Sequence, residues 1–272
     1  MTSRSSPPHI KAPPYSARQI IQQAEDLTKE YARSVEPEAA LLGISFDAVY
    51  EQLIYPKYGI VLVDDQDLGF TDCGDEILGK SDVLNNTAYI GLGKKDPRRT
   101  FTCWHEVGGH ILLQGQWLRN ELRRMGSGSH LVTTEDCLDL ATTNALERQA
   151  NLFAAHAGAP TWLLTYVIRD TYDLTRPIRY IGPREYCLDV RDHRRYYDVE
   201  SFNDLCRIIA RHIQFRFGWM SVEALSYRVE QNAALRDETK KSLWLNRTAR
   251  RPAPAITTSI RSALGTPIAH SY

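Results

Sequence analysis

Three residues within six positions could hold a metal ion and move a proton: His105, Glu106 and His110, in the stretch TFTCWHEVGGHILLQ at 100–114. In the usual zinc-peptidase signature two residues separate His-Glu from the second histidine; here Val107, Gly108 and Gly109 make three. Histidines four apart on an α-helix sit roughly 40° apart about the axis, and both reach one Zn²⁺ at about 2.0–2.1 Å. At a spacing of five, regular geometry opens the angle to roughly 140°, too wide for one ion. A π-bulge repairs this, because one extra residue in a turn returns positions i and i+5 to one face. Gly108 and Gly109 stand where the distortion is needed. Two adjacent helical glycines cost about 1 kcal/mol each relative to alanine, a penalty an ordinary structural helix has no reason to carry.

With a metal bound, His105 and His110 supply neutral nitrogens, and Glu106 is placed to take a proton from water on the metal and pass it to a leaving amine. A catalytic zinc also wants a third protein ligand and an open position. Downstream candidates are His130, Glu135, Asp136, Glu147 and His156. Glu147 stands out, at the edge of the buried stripe (Leu146, Ala150, Phe153, Ala154) of an amphipathic helix in NALERQANLFAAHAGAP. Asn151, one turn later, can hydrogen-bond a histidine ligand. His156 fits a surface histidine near the helix end better than a ligand. Cys103 is too close to His105 to be a natural third ligand and is expected to pack.

These residues need elements to position them. Ser16 can cap a helix whose apolar positions Ile20, Ile21, Ala24, Leu27 and Tyr31 recur at three and four. A second helix over 45–54 uses Phe46, Val49, Leu53 and Ile54, and Pro56 is expected to stop it. YGIVLVDD (58–65) reads as a buried strand, followed by short strands at 76–80 and 87–93. The helix from Thr100 is expected to end near Gly115. After a polar loop at about 116–140, helices are expected at 142–157, 160–170, 200–217 and 221–231. The stretch 171–198, dense in Arg, Tyr, Pro and His, shows no clear period; within it Tyr186, His193 and Arg179 are guesses for an oxyanion stabiliser.

The chain of 272 residues is long enough for a core without disulfide staples. Its 33 basic and 33 acidic residues cancel, so overall charge gives no argument for a nucleic-acid or membrane partner. Five scattered cysteines without a C-x-x-C pair fit neither a disulfide framework nor a cysteine zinc site. The start has no apolar signal region and no run of about 18 apolar residues occurs, so a cytoplasmic protein is the expectation. Residues 1–16 are Pro- and Ser-rich and expected to be disordered. After Glu238 no acidic residue follows while six basic ones do, which reads as a solvated basic tail or, functionally, a docking tail.

RRTFTCWHEVGGHILL, then ERQANLFAAHAGAP, then FGWMSVEALSYRVEQ resemble, in order and spacing over roughly 17–231, three linked motifs of the ImmA/IrrE family of metallopeptidases. The resemblance implies a zincin-like α+β fold: a small mixed three-stranded sheet, an active-site helix and a mostly helical C-terminal half. It divides the chain into the 1–16 segment, a metallopeptidase domain at 17–235 and a basic, disordered tail at 236–272. It also implies Zn²⁺ held by His105, His110 and Glu147, with Glu106 as base. The expected activity is endopeptidase cleavage of a regulatory protein, typically a helix-turn-helix transcriptional repressor; direct nucleic-acid binding is not expected. The alternative is a non-proteolytic regulator on the same fold that binds a repressor or nucleic acid. Departures are the His-Glu-x-x-Gly-His spacing, similar to that of dipeptidyl peptidase III, Trp104 in place of a small residue, and AHAGAP in place of a more apolar segment.

Overall fold

The computed structural model describes residues 15–35, 37–71, 73–91, 93, 98–124, 140–190 and 193–239. The candidates His130, Glu135 and Asp136, nearly all of the 1–16 segment and the tail from 240 onward lie outside the described residues. The chain is α+β and divides into two compact units, one from Met1–Thr28 with Ser45–Gly158, the other from Lys29–Ile44 with Ala159–Tyr272.

The first unit opens with α1, Ala17–Ser34. Ser16 and Gln19 cap it reciprocally: the Gln19 N–H donates to Ser16 Oγ at 3.3 Å, and the Ser16 N–H donates to Gln19 Oε1 at 2.9 Å. α3 (Phe46–Val49) runs through a π-helical turn, Tyr50–Ile54, into α4, Tyr55–Tyr58. Pro56 therefore does not end this helix. It is carried in the helical path just after the π turn, and the stop comes at Gly59 with φ 62°.

The sheet contains β1 (Val61–Gln66), β2 (Gly79–Asp82) and β3 (Thr87–Gly91) in the order β1-β3-β2. β1 runs parallel to β3 and β2 antiparallel to it, so the sheet is mixed. The expectation that the apolar run at β1 is a buried strand is corrected: β1 is an edge strand, with Val61 44% exposed. The buried strand is the central β3, where Ala88 and Ile90 are covered.

Against this sheet lies one long helical path. It is formed by α5 (Arg98–Cys103), a π-helical segment over Trp104–Leu113, and α6, Gly115–Arg124. Gly115 does not end the path; after Gln114 it begins α6. Trp104 is fully buried and meets the Phe46 ring edge-on at 5.0 Å. Arg99 anchors the start of the path, its guanidinium bidentate on Asp64 of β1 at 2.8 and 3.1 Å and on Asp47 of α3 at 2.9 Å. The hydrogen bond with Asp64 raises the Arg99 pKa against the opposing effect of burial. α7, Leu140–Gly158, packs along the π segment and completes the unit.

The second unit is mostly helical, with α2 (Pro37–Leu42), α8 (Thr161–Tyr172), α9 (Phe202–Ile213), a 3₁₀ turn (Gln214–Arg216) and α10 (Val222–Glu230). Ser201 and Ser221 cap α9 and α10 by accepting the N–H of Asp204 and Ala224. The aperiodic stretch 171–198 folds largely as strands: β4 (Ile178–Tyr180), β5 (Arg184–Val190) and most of β6 (His193–Val199). β5 and β6 form an antiparallel hairpin that buries Tyr186, Leu188 and Val199 and exposes its other face. β4 instead runs parallel to β7, Leu235–Asp237, a pairing across more than fifty residues that no local pattern announces. Among the described residues no helix is long and apolar enough to cross a membrane.

Inside this unit His212 is held between two phenols, with Tyr172 Oη 2.6 Å from its Nδ1 and Tyr197 Oη 2.7 Å from its Nε2. Burial, then the charge of Arg195, lowers the His212 pKa below 6.5. The unfolded chain thus binds a proton that the folded one resists, and His212 contributes stability above pH 6.5 that is lost as pH falls through its depressed folded value. Denaturant midpoints between pH 8 and 5.5 should fall for the wild type and fall less for His212→Gln; identical acid sensitivity in the two proteins would remove His212 as the cause.

Candidate metal centre

The π-helical backbone brings His105 and His110 together. A π turn joins residue i to i+5, and the Gln114 N–H donates to the Gly109 carbonyl in that register at 3.3 Å. The two rings meet nearly edge to face, their Nε2 atoms 3.0 Å apart. Instead of a single bulge, ten residues are π-helical.

Gly108 and Gly109 have a role beyond backbone freedom. A Cβ on Gly109 would lie 2.4 Å from Ala150 Cβ and 2.5 Å from Ala150 Cα; one on Gly108 would lie 2.4 Å from Phe153 Cε1. The glycines let α7 approach the π segment at near-backbone contact, and this approach delivers Glu147. Its carboxylate oxygens lie 3.0 Å from His105 Nε2 and 3.2 Å from His110 Nε2. His105, His110 and Glu147 form a group with metal-ligand geometry among the described residues.

Hydrogen bonds behind the histidines orient their rings and place a proton on Nδ1. Gln114 Nε2 donates to the Leu146 carbonyl at 2.8 Å, so its Oε1 faces His110 Nδ1 at 2.9 Å. Only an N–H satisfies that oxygen, which puts a proton on His110 Nδ1 and, in the neutral imidazole, a lone pair on Nε2. Asn151 Oδ1 lies 3.1 Å from His105 Nδ1 and selects the same tautomer. In the neutral tautomers two nitrogen lone pairs and a carboxylate converge, a donor set suited to a cation. The pKa directions show that the carboxylates favour positive charge at this point, here a proton. Burial disfavours charge on His110, yet its hydrogen bond to Glu147 and the charges of Glu106 and Glu147 raise its pKa above 6.5. Burial also opposes the Glu147 charge, but hydrogen bonds from His105 and His110 hold it well below the usual carboxylate range. The separations of 3.0–3.2 Å approach the roughly 3.3 Å between ligand atoms around a tetrahedral zinc. The donor set thus fits a small divalent cation.

Glu106 is buried and points toward β2. The Ser81 hydroxyl donates to its Oε2 at 2.6 Å, and Oε1 lies 3.9 Å from His105 Nε2. Gly79 makes room for it, since a Cβ there would fall 2.7 Å from Glu106 Cγ. Ser81, Gly79 and Gln114 were absent from the sequence-derived site. The first two precede the motif by about 25 residues on an edge strand; Gln114, four after His110, carried the legible signal of helical spacing.

The remaining candidates have other partners. His156 is not a surface residue: it is 4% exposed, with Nδ1 4.0 Å from Glu25 Oε1, because the last turn of α7 packs inward rather than facing solvent. Cys103 is fully buried. Tyr186 accepts the Ile181 N–H and donates to the Gly182 carbonyl, which ties it into a turn. Arg179 pairs with Glu238, and His193 is exposed at the start of β6.

No family model matches the chain, and neither does any curated protein. A solved structure, a Mycobacterium tuberculosis transcriptional regulator, is similar at a TM-score of 0.39 and 14% identity over 77% of this chain, which spans 46% of that protein. A likeness of that degree carries no argument about activity.

Two outcomes follow from the geometry. Gly109→Ala forces α7 away and should lower unfolding free energy by about 1–3 kcal/mol in denaturant melts; an unchanged midpoint would mean the helices accommodate the methyl. Gln114→Ala, which frees His110 Nδ1, should weaken metal binding by about 10–100-fold in competition titrations with a chromophoric chelator.

Proposed function

We propose that the chain is a zinc-dependent endopeptidase of the ImmA/IrrE kind, acting on a regulatory protein such as a helix-turn-helix repressor. The observation that carries this reading is the convergence of three acceptors, His105 Nε2, His110 Nε2 and the Glu147 carboxylate, beside the buried Glu106. Zinc in that position would supply a Lewis acid able to polarise a carbonyl and lower the pKa of water. The chain's own residues do the rest. Ser81 holds Glu106 by Oε2, leaving Oε1 as the atom that accepts a proton and returns it to the leaving amine. β2 pairs only with β3 among the described residues, so its other edge, next to Ser81, offers main-chain donors and acceptors to an extended peptide. Peptide hydrolysis accounts for both the base and the open edge. The repressor as substrate rests on the sequence resemblance.

The second reading is a metal-holding regulator without turnover. It is favoured by one observation, that an oxygen of Glu106 is already engaged by Ser81 at 2.6 Å.

Zinc content and cleavage separate the two. Purified protein should carry about one zinc per chain. It should cleave a helix-turn-helix repressor encoded beside its gene, and Glu106→Gln should keep the metal while losing about 100-fold or more of the rate. Equal rates in both proteins would sink the general-base mechanism; bound zinc with no cleavage by either would establish the regulator.

A further inference from the structure

The second unit contains a cavity of about 500 Å³ that no part of the proposed chemistry uses. Its walls are Tyr172 at the end of α8, Leu174 just beyond it, Ile178 and Arg179 of β4, and β5 from Arg184 to Asp189. The volume is in the range of small-molecule sites, about 300–1,000 Å³. Consecutive β5 residues line it, so the edge of that strand borders the cavity rather than one face. β5 pairs with β6 alone among the described residues, which leaves main-chain donors and acceptors on that edge.

The charges around the cavity are unequal in availability. Arg179 is committed to Glu238 at 3.1 Å and Asp189 to Arg194 at 3.2 Å, while Glu185, also in the wall, alternates to the opposite face of β5 from Arg184. Arg184 lies over the Tyr186 ring, 5.4 Å from its centroid, and no carboxylate pairs with it among the described residues. The ring beneath is fixed, because the Tyr186 hydroxyl is bonded to both Ile181 and Gly182. A guanidinium held over an aromatic face can still turn its fork of N–H donors to a carboxylate. Beside it are apolar side chains, Leu174, Ile178 and Leu188, and the aromatic Tyr172.

We infer that this cavity is a second binding site, for a small organic anion with a planar or branched apolar body, whose carboxylate is received by Arg184. The apolar body lies against Leu174, Ile178 and Leu188. A longer extended peptide is the less favoured occupant, because the face of β5 that carries Arg184 offers one cation and an apolar patch rather than repeated side-chain pockets along the strand.

The test is calorimetric titration of the full chain at low ionic strength with 3-phenylpropionate, indole-3-propionate and biphenyl-4-carboxylate, each against its neutral amide. At least one acid should bind saturably, with its amide at least about tenfold weaker. Arg184→Gln should weaken the acid by at least about tenfold and leave the amide unchanged, and Arg184→Lys should fall between. Should Arg184→Gln not fold, the comparison of Arg184→Lys with wild type decides. Binding should persist after chelator treatment, which distinguishes this site from a carboxylate landing on the metal cluster. The proposal is overturned if no acid saturates by about 1 mM, if acid and amide bind alike, if Arg184 variants bind as wild type does, or if chelation abolishes binding.

Discussion

Two helical backbones come almost into contact where Gly109 faces Ala150, and the candidate site hangs on that approach. Glu147, Ala150 and Asn151 share one face of α7 at helical spacings of three and four. Bringing Ala150 against a glycine therefore also places the Glu147 carboxylate on the histidine pair and the Asn151 amide behind His105. Gln114 adds a tie in the other direction, from the end of the π segment to the Leu146 carbonyl. A side chain at position 109 would push ligand and supporting amide away together, so metal geometry and helix packing are a single constraint.

The same closeness explains why a long π-helical run survives in a protein core. π geometry is rare because its hydrogen bonds and packing are inferior to those of the α-helix. Here it is braced on every side: Trp104 is packed against Phe46, Arg99 is clamped to Asp64 and Asp47, and α7 lies over the glycines. Its buried Glu106 is held by Ser81, so a carboxylate that would otherwise be desolvated without compensation has a short hydrogen bond from a strand. The rigid surroundings keep three acceptors within reach of one another despite their mutual repulsion.

The second unit solves a different problem. Its buried polar groups form hydrogen-bonded sets, with His212 between Tyr172 and Tyr197, and Arg228 bonded to the Ala159 carbonyl at 2.9 Å. Arg184 stands apart from such sets, held over the Tyr186 ring with no carboxylate partner among the described residues, next to a cavity. That contrast gives the cavity its chemical character, independent of the candidate metal centre.

Much of the helical architecture was legible along the chain, because helices are written in local spacing: α1, α7, α8, α9 and α10 lie within a few residues of where their apolar periods put them. Where local signals misled, long-range contacts were the cause. The apolar run at β1 lies at a sheet edge, the parallel β4–β7 pair joins distant segments, and Pro56 was absorbed into a restarted helix. At the site, His105, Glu106, His110, Glu147 and Asn151 could be named from spacing and chemistry alone, and the doubled glycine announced that the helix must deform. The identities of the donors and the need for a π turn thus belong to the sequence. Tertiary structure alone decided that Ser81 and Gly79 shape the surroundings of Glu106, that His156 is buried, and that the glycines admit a neighbouring helix. Those contacts join residues remote in the chain, and no local periodicity encodes which side chain a distant strand or helix will bring against them.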